Sequence, residues 1–280
     1  MEQSEYRLKV LKRIEENEKN GVFDENVEDD PESYELKPNK IDYLNKKLSS
    51  KILEYFTIKK GGQFFENEIK QGRLIIKEVV GFENLNSIEK NTGAIVTCNH
   101  FHPFDNYIIF KSLKPKLKGE HLYKVIKEGN YTNPPKGFEM FMRHGDTLPL
   151  SSNRQTMKKF LSAIEILLKK GHKILVYPEQ CMWWNYRKPR PLKNGAFSFA
   201  VTHGVPVIPM FITMEDTDKL DNDGFPLQAY TVNILSPIYP KAELNKAENI
   251  KYMKNKNYDE WVKVYESFYN KPLVYLTNDK

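Results

Sequence analysis

From Arg73 to Leu235, short runs rich in β-branched residues alternate with stretches of helical spacing, and this alternation constrains the chain more than any other feature. The strand candidates are Leu74–Val79, Ala94–Cys98, Leu122–Ile126, Lys173–Tyr177, Pro206–Ile212 and Tyr230–Leu235. Strands separated by helices pack most readily as a parallel sheet with helices laid against it. An α/β fold with a mostly parallel β-sheet flanked by helices is therefore expected. The clearest helix is expected to begin near Ser152, whose spacing to Gln155 suits a capping box. It should bury Met157, Phe160, Leu161, Ile164, Leu167 and Leu168 and stop at Gly171. In such sheets ligands collect where strands end and loops begin.

The first 65 residues read differently, which suggests a charged N-terminal extension (1–65) ahead of an α/β domain (66–280). Residues 1–40 alternate charges and then enter an acidic, proline-containing stretch, the pattern of a helix followed by an extended segment. Beyond it, Ile41, Leu44, Leu48, Ile52 and Phe56 recur at three- and four-residue steps among Lys46, Lys47, Lys51, Lys59 and Lys60. That is the pattern of a basic amphipathic helix, which can lie on an anionic membrane surface or dock on the body of the protein.

The net charge of +6 hides a division. Seven acids and no base lie between Gly21 and Glu35, leaving +13 on the remainder. The acidic stretch reads as a solvated linker. A basic body suits anionic partners such as phosphate esters, acyl carriers or a membrane surface. No zinc finger, RNA-recognition motif or arginine-rich block is present, so nucleic acid is not expected as a partner. Cys98 and Cys181 cannot form a disulfide framework, and the N-terminus is charged where a secretory signal would be apolar. The expected location is cytoplasmic, at or near the inner face of a membrane. The longest largely apolar run, Val205–Ile212, holds two prolines and is far short of the roughly 20 residues that cross a bilayer.

The chemistry gathers in TCNHFHPFD, Thr97 to Asp105. In a continuous helix His100 and Asp105 would be rotated about 140° from one another and would not meet. Pro103 changes this, because proline favours the first helical turn and keeps the residue before it out of helical geometry. A strand, a loop carrying Asn99, His100 and His102, and a helix from Pro103 then follow in order. Asp105 sits in its first turn, able to bend back to His100. A carboxylate on one imidazole nitrogen leaves the other free to take a proton from a hydroxyl, as a general base does. Free N–H groups at the same helix start could stabilise an oxyanion. The pair His100 and His102 with an aspartate also resembles half of a hydrolase zinc site. Such a site needs further ligands, and His121, His144, His172 and His203 read as scattered. No metal site is expected.

Asn99, His100 and Asp105 resemble the Asn-His-x4-Asp signature of the glycerolipid and lysophospholipid acyltransferases, the 1-acyl-sn-glycerol-3-phosphate acyltransferase family. Arg143, in FMRHGDTLPL, stands where that family's second block ends in arginine. Ile174–Gln180 resembles its phenylalanine-proline-glutamate block, Leu192–Phe197 the lysine-glycine-alanine-phenylalanine that follows, and Val205–Met210 its fourth block. The resemblance implies His100 as base, Asp105 as its orienting partner, and Asn99, Arg143, Glu179, Arg187, Lys193 and Gly195 as acceptor-site residues. It implies an O-acyltransferase with no cofactor, acyl-CoA or acyl carrier protein as co-substrate, and a lysophospholipid or related amphiphilic hydroxyl compound as acceptor. After Glu179 the family expects Gly-Thr-Arg. This chain has Gln180 in place of the glycine, and its arginine is displaced to Arg187, Lys188 or Arg190. Trp183, Trp184 and Tyr186 read either as a platform for an acyl chain or as packing. The alternatives are a lipid- or partner-binding protein on the same fold, and a metallohydrolase.

Overall fold

A computed structural model describes residues 2–30 and 32–279. In chain order the elements are α1 (Glu5–Asn20), α2 (Leu48–Lys70), β1 (Ile75–Val80), β2 (Ala94–Thr97), α3 (Asp105–Leu117), β3 (Leu122–Ile126), α4 (Glu128–Thr132), α5 (Glu139–His144), β4 (Thr147–Pro149), α6 (Arg154–Lys169), β5 (Lys173–Val176), α7 (Gly195–His203), β6 (Val207–Leu220), β7 (Pro226–Ile234) and α8 (Lys246–Tyr269). The strands form one sheet in the order β1-β7-β6-β2-β5-β3-β4. Every neighbouring pair is parallel except β6 and β7.

Both faces of this sheet are covered, and the two-residue period of the strands sorts side chains between them. Val96, Leu175, Ile208, Met210 and Ile212 join Ile108, Ile109 and Leu113 of α3 on one face. Ile95, Ile174, Val207 and Phe211 face the other, with Phe160 and Ile164 of α6, Phe197 of α7 and Trp261 of α8. β2 lies between β5 and β6, and all four of its residues are buried. Because β2 and β5 are parallel and in register from Ala94 with Lys173 to Thr97 with Val176, the loops after them leave the same edge.

Several boundaries differ from expectation for local reasons. α6 begins at Arg154, because Asn153 caps it by accepting from the amides of Gln155 and Thr156, while the Ser152 amide donates to Glu128. Leu161 is 45% exposed rather than buried. β6 runs on past Ile212 to Leu220, its antiparallel pairing with β7 reaching from Met210 in the buried sheet out to Leu220 in the exposed part of the hairpin. The three-residue β4 has too few residues to show a period, and the sequence does not announce it.

The basic amphipathic helix starts at Leu48, later than Ile41. Ile41 and Leu44 precede it and pack against the core. Its C-terminal half turns Phe65 and Ile69 onto the core, whereas the residues it buries fully are small or polar. Thr57, Gly61 and Glu68 are its buried residues, and Gly61 lies so close to Phe141 of α5 that an added Cβ would come within 2.7 Å of that ring. Leu48, Ile52, Tyr55 and Phe56 are exposed, Leu48 by 74%. Among the described residues no helix is long and apolar enough to cross a membrane.

The acidic stretch is not a solvated linker. Asp24 pairs with Lys193, Glu28 with Arg7, Asp29 with Arg13 and Asp30 with Lys127. Val27 packs with Val10 and Ile14 of α1 against Trp183 and Trp184.

Candidate active site

β2 ends at Thr97, and the next residues are fixed before they reach the chemistry. Asn99 is buried, its side chain accepting from the Ile212 amide at 2.8 Å and donating to the Ile212 carbonyl at 3.0 Å. It therefore clamps the loop to β6, and the position expected of an acceptor-site residue is instead an internal one. The His100 amide donates to Glu179 Oε2 at 3.1 Å, and the His100 and Phe101 carbonyls accept from the amides of Trp183 and Asn185. The loop after β2 is thus bound on one side by β6 and on the other by the segment after β5.

This frame brings His100 and Asp105 together, although α3 starts at Asp105 rather than at Pro103, which lies in the turn before it. Asp105 is the first residue of α3, fully buried, and its Oδ2 lies 2.7 Å from His100 Nδ1. An ionised carboxylate only accepts, so Nδ1 carries the ring proton and Nε2 keeps its lone pair. No described residue hydrogen-bonds Nε2, and the His100 side chain is 21% exposed. Asp105 also accepts from the amides of Phe101 (3.2 Å) and His102 (3.4 Å), and its Oδ1 lies 2.6 Å from the Tyr177 hydroxyl. Burial first, and then the Asp105 charge, push the Tyr177 phenol well above its ordinary range, so it stays a donor. Its ring stacks on His100 with centroids 3.9 Å apart and planes 13° apart. Tyr177 thus fixes both members of the pair, although a tyrosine ending an apolar strand gives no sign of this in the sequence.

Most of the N–H groups expected for an oxyanion at the helix start are engaged, and among the described residues the Asn106 amide is the one of that first turn without an acceptor. The amides of Phe101 and His102 are turned to Asp105, that of Phe104 to His102 Nδ1 at 3.1 Å, and that of Asp105 to the His102 carbonyl. His102 is thereby an acceptor, and burial lowers its pKa to about 4, so its ring is neutral. It does not join His100 as a metal ligand. Among the described residues the group of three side chains able to hold a metal is Glu54, His121 and Asp146, elsewhere in the fold. The histidines are less scattered than their spacing suggests, since the His121 amide donates to His172 Nδ1 at 3.1 Å.

Glu179 is buried as well, at 2% exposure. Its Oε1 accepts from the Arg190 amide at 2.8 Å, and its Oε2 from the Arg190 guanidinium at 2.9 Å as well as from the His100 amide. Expected at the acceptor, Glu179 instead joins the His100 loop to the segment after β5. Of the three candidates for the displaced arginine it is Arg190 that meets it, 1% exposed and lying 4.6 Å over the Trp183 ring. Trp183 and Trp184 are buried packing rather than an open platform.

The cations lie further out. Arg187 binds Asp216 at 2.7 Å, and Lys193 pairs with Asp24, both cations being partly exposed. The Lys193 amide donates to the Pro178 carbonyl, which sets the start of α7 beside the Glu179 segment. Gly195, the first residue of α7, has nothing within 4 Å of where a Cβ would stand. Arg143, on α5, donates to the Tyr131 carbonyl at 3.3 Å and has no recorded contact with the His100 cluster. Two surface hollows of about 360 and 420 Å³ lie along α6 and α7 and between Ser236 and Glu260, and neither is lined by His100.

Residues 79–213, which hold this whole constellation up to β6, match the family model described as Acyltransferase. A 1-acyl-sn-glycerol-3-phosphate acyltransferase of Chlamydomonas reinhardtii is 31% identical over 147 residues, 52% of this chain and 40% of that protein. A chloroplastic 1-acyl-sn-glycerol-3-phosphate acyltransferase of Brassica napus is 29% identical over 147 residues, 52% of this chain and 39% of its own length. The match thus spans about two fifths of these relatives. The crystal structure of a 1-acyl-sn-glycerophosphate acyltransferase from Thermotoga maritima aligns with 80% of this chain and 98% of its own at 19% identity, with a TM-score of 0.47.

Proposed function

We propose, from the match of residues 79–213 to the family model described as Acyltransferase, that the chain moves an acyl group from acyl-CoA or acyl carrier protein to the hydroxyl of a lysophospholipid or related amphiphile. The observation that carries this reading is the His100–Asp105–Tyr177 arrangement, in which one imidazole nitrogen is held by a buried carboxylate and the other has no hydrogen-bond partner among the described residues.

In the reaction, His100 Nε2 takes the proton of the acceptor hydroxyl as its oxygen attacks the thioester carbonyl. Asp105 stabilises the imidazolium that forms. Collapse of the tetrahedral adduct breaks the carbon–sulfur bond, and His100 returns the proton to the departing thiolate. Lys193 and Arg187 are assigned to the anionic headgroup of the acceptor. Each is partly exposed and held by one carboxylate, Asp24 and Asp216, which a phosphate can displace. Gly195 leaves room for that headgroup beside the α7 N-terminus.

The outer face of α2 supplies the route from the lipid. Leu48, Ile52, Tyr55 and Phe56 are exposed among Lys51, Lys59 and Lys60, a composition suited to an anionic membrane surface. Further along the same helix, Phe64 and Phe65 meet Phe104, whose amide donates to His102 beside the catalytic loop. These features support the reading of the chain as a peripheral membrane protein, proposed to work on the cytoplasmic side. Incubation with labelled acyl-CoA or acyl carrier protein and a panel of lysolipids should yield an acylated lipid from one donor class. A panel in which no hydroxyl lipid becomes labelled refutes the assignment.

A further inference from the structure

Away from His100, three elements bring a second cluster of ionisable side chains together. Glu54 on α2, His121 at the start of β3 and Asp146 just before β4 each place a ligand-capable atom within 4.8 Å of the other two. His121 Nδ1 stands 3.1 Å from Asp146 Oδ2. Two ligands on one tetrahedral zinc with bonds of about 2.0 Å are separated by about 3.3 Å, so this pair already has the spacing of a shared metal.

Asp146 is held in place for the purpose. It adopts a left-handed backbone with φ 56°, it is 8% exposed, and its Oδ1 is buried with no hydrogen-bond donor against it among the described residues. Glu54 offers that region a second carboxyl group rather than an N–H. Two carboxyl groups facing one another disfavour both being ionised, so the pair favours a shared proton or a bound cation. His121 is anchored too, its amide fixed on His172 and the next residue already in β3.

We propose that Glu54, His121 and Asp146 bind a zinc-class divalent cation that fastens α2 to the outer edge of the sheet. One imidazole and two carboxylates form a nitrogen and oxygen set that suits zinc and leaves a position for water, whereas magnesium and calcium take oxygen ligands. Lys124, the neighbouring cation, turns its Nζ to the Gly145 carbonyl at 2.7 Å, offsetting the carboxylates without occupying a ligand position. Glu54 lies in the half of α2 whose outer side carries Leu48, Ile52 and Phe56. The cation therefore sets how firmly the helix that carries this outward apolar face is held to the body. None of the three ligands belongs to the His100 relay, so occupancy here is independent of acyl transfer.

Tag-free chain, stripped with chelator and dialysed against zinc chloride, is expected to retain one zinc per chain by elemental analysis. Glu54→Gln, His121→Gln and Asp146→Asn should each weaken zinc binding at least about tenfold. Asparagine tolerates the left-handed backbone of Asp146, and the partly exposed Glu54 can change without disturbing the core. Zinc should also slow amide exchange across residues 48–58 in the parent chain and not in Glu54→Gln. Retention far below one equivalent, or equal zinc affinity in the parent and in folded Glu54→Gln, overturns the proposal and leaves a proton-sharing carboxyl pair in its place.

Discussion

Asp105 and Glu179 show how two buried carboxylates in one site are given different work by what surrounds them. Asp105 faces an imidazole that still has a free nitrogen, so its charge can act on a reacting group. Glu179 faces a guanidinium and two amides and joins loops. Replacing Arg190 by methionine strands the Glu179 charge in the interior, and a loss of about 3–5 kcal/mol in denaturant-melt stability is expected. His102 gives a pH dependence. Burial lowers its pKa from 6.5 to about 4, so the unfolded chain takes up a proton in that window that the folded chain refuses. Its contribution is complete above pH 6.5 and is lost as pH falls toward 4, at up to about 1.4 kcal/mol per pH unit. Stability curves at pH 7 and pH 5 should lie closer together in His102→Asn than in the parent. The meeting of His100 and Asp105 was legible in the sequence because Pro103 keeps His102 out of helical geometry and so breaks the helix between them, although α3 starts two residues later than expected, at Asp105. The partner of Glu179 was not. Gln180 and Asn185 take left-handed backbone at φ 70° and 51°, and the resulting path of the loop, rather than any spacing, selects Arg190 over Arg187 and Lys188.

Helix α2 shows why periodicity identifies a helix more readily than its orientation. Leu48, Ile52 and Phe56 mark an apolar stripe, and packing rules alone turn such a stripe inward. Here the inner side is Thr57, Gly61, Phe65, Glu68 and Ile69, set by the close approach of Phe141 to Gly61, by Phe65 stacking on Tyr107 and by Glu68 pairing with Arg73. The stripe is left outside, where only a partner surface can cover it. Ile52→Glu combined with Phe56→Glu should therefore cut co-sedimentation with anionic vesicles at least about tenfold while leaving the melting temperature unchanged. Unchanged vesicle binding removes α2 from the account. The strands show the reverse case. Ala94–Thr97 and Lys173–Val176 are wholly or almost wholly buried, and their apolar runs identify them without help from context. β4 and the outer half of β6 are held by their neighbours, so their own residues carry little signal.

Across the whole molecule, one parallel register does most to build the site, because β2 and β5 run side by side and release the His100 loop and the Glu179 segment at the same edge. Strand and helix alternation made this architecture legible, including the mostly parallel sheet. It did not show that β6 returns through β7 as an antiparallel hairpin, since a tight turn and a crossover leave similar apolar runs on either side. Nor did charge counting show that the acidic segment lies along Arg7, Arg13, Lys127 and Lys193, because pairing across such distances in sequence leaves no local pattern. The claim on which the functional reading rests is that His100, steered by Asp105, removes a proton from an acceptor hydroxyl. Its most direct test is the rate of acyl transfer by His100→Ala with a donor and acceptor that the parent chain uses, with folding verified by circular dichroism. A fall of about 100- to 10,000-fold is predicted, and a folded His100→Ala chain working at the parent rate would contradict the account.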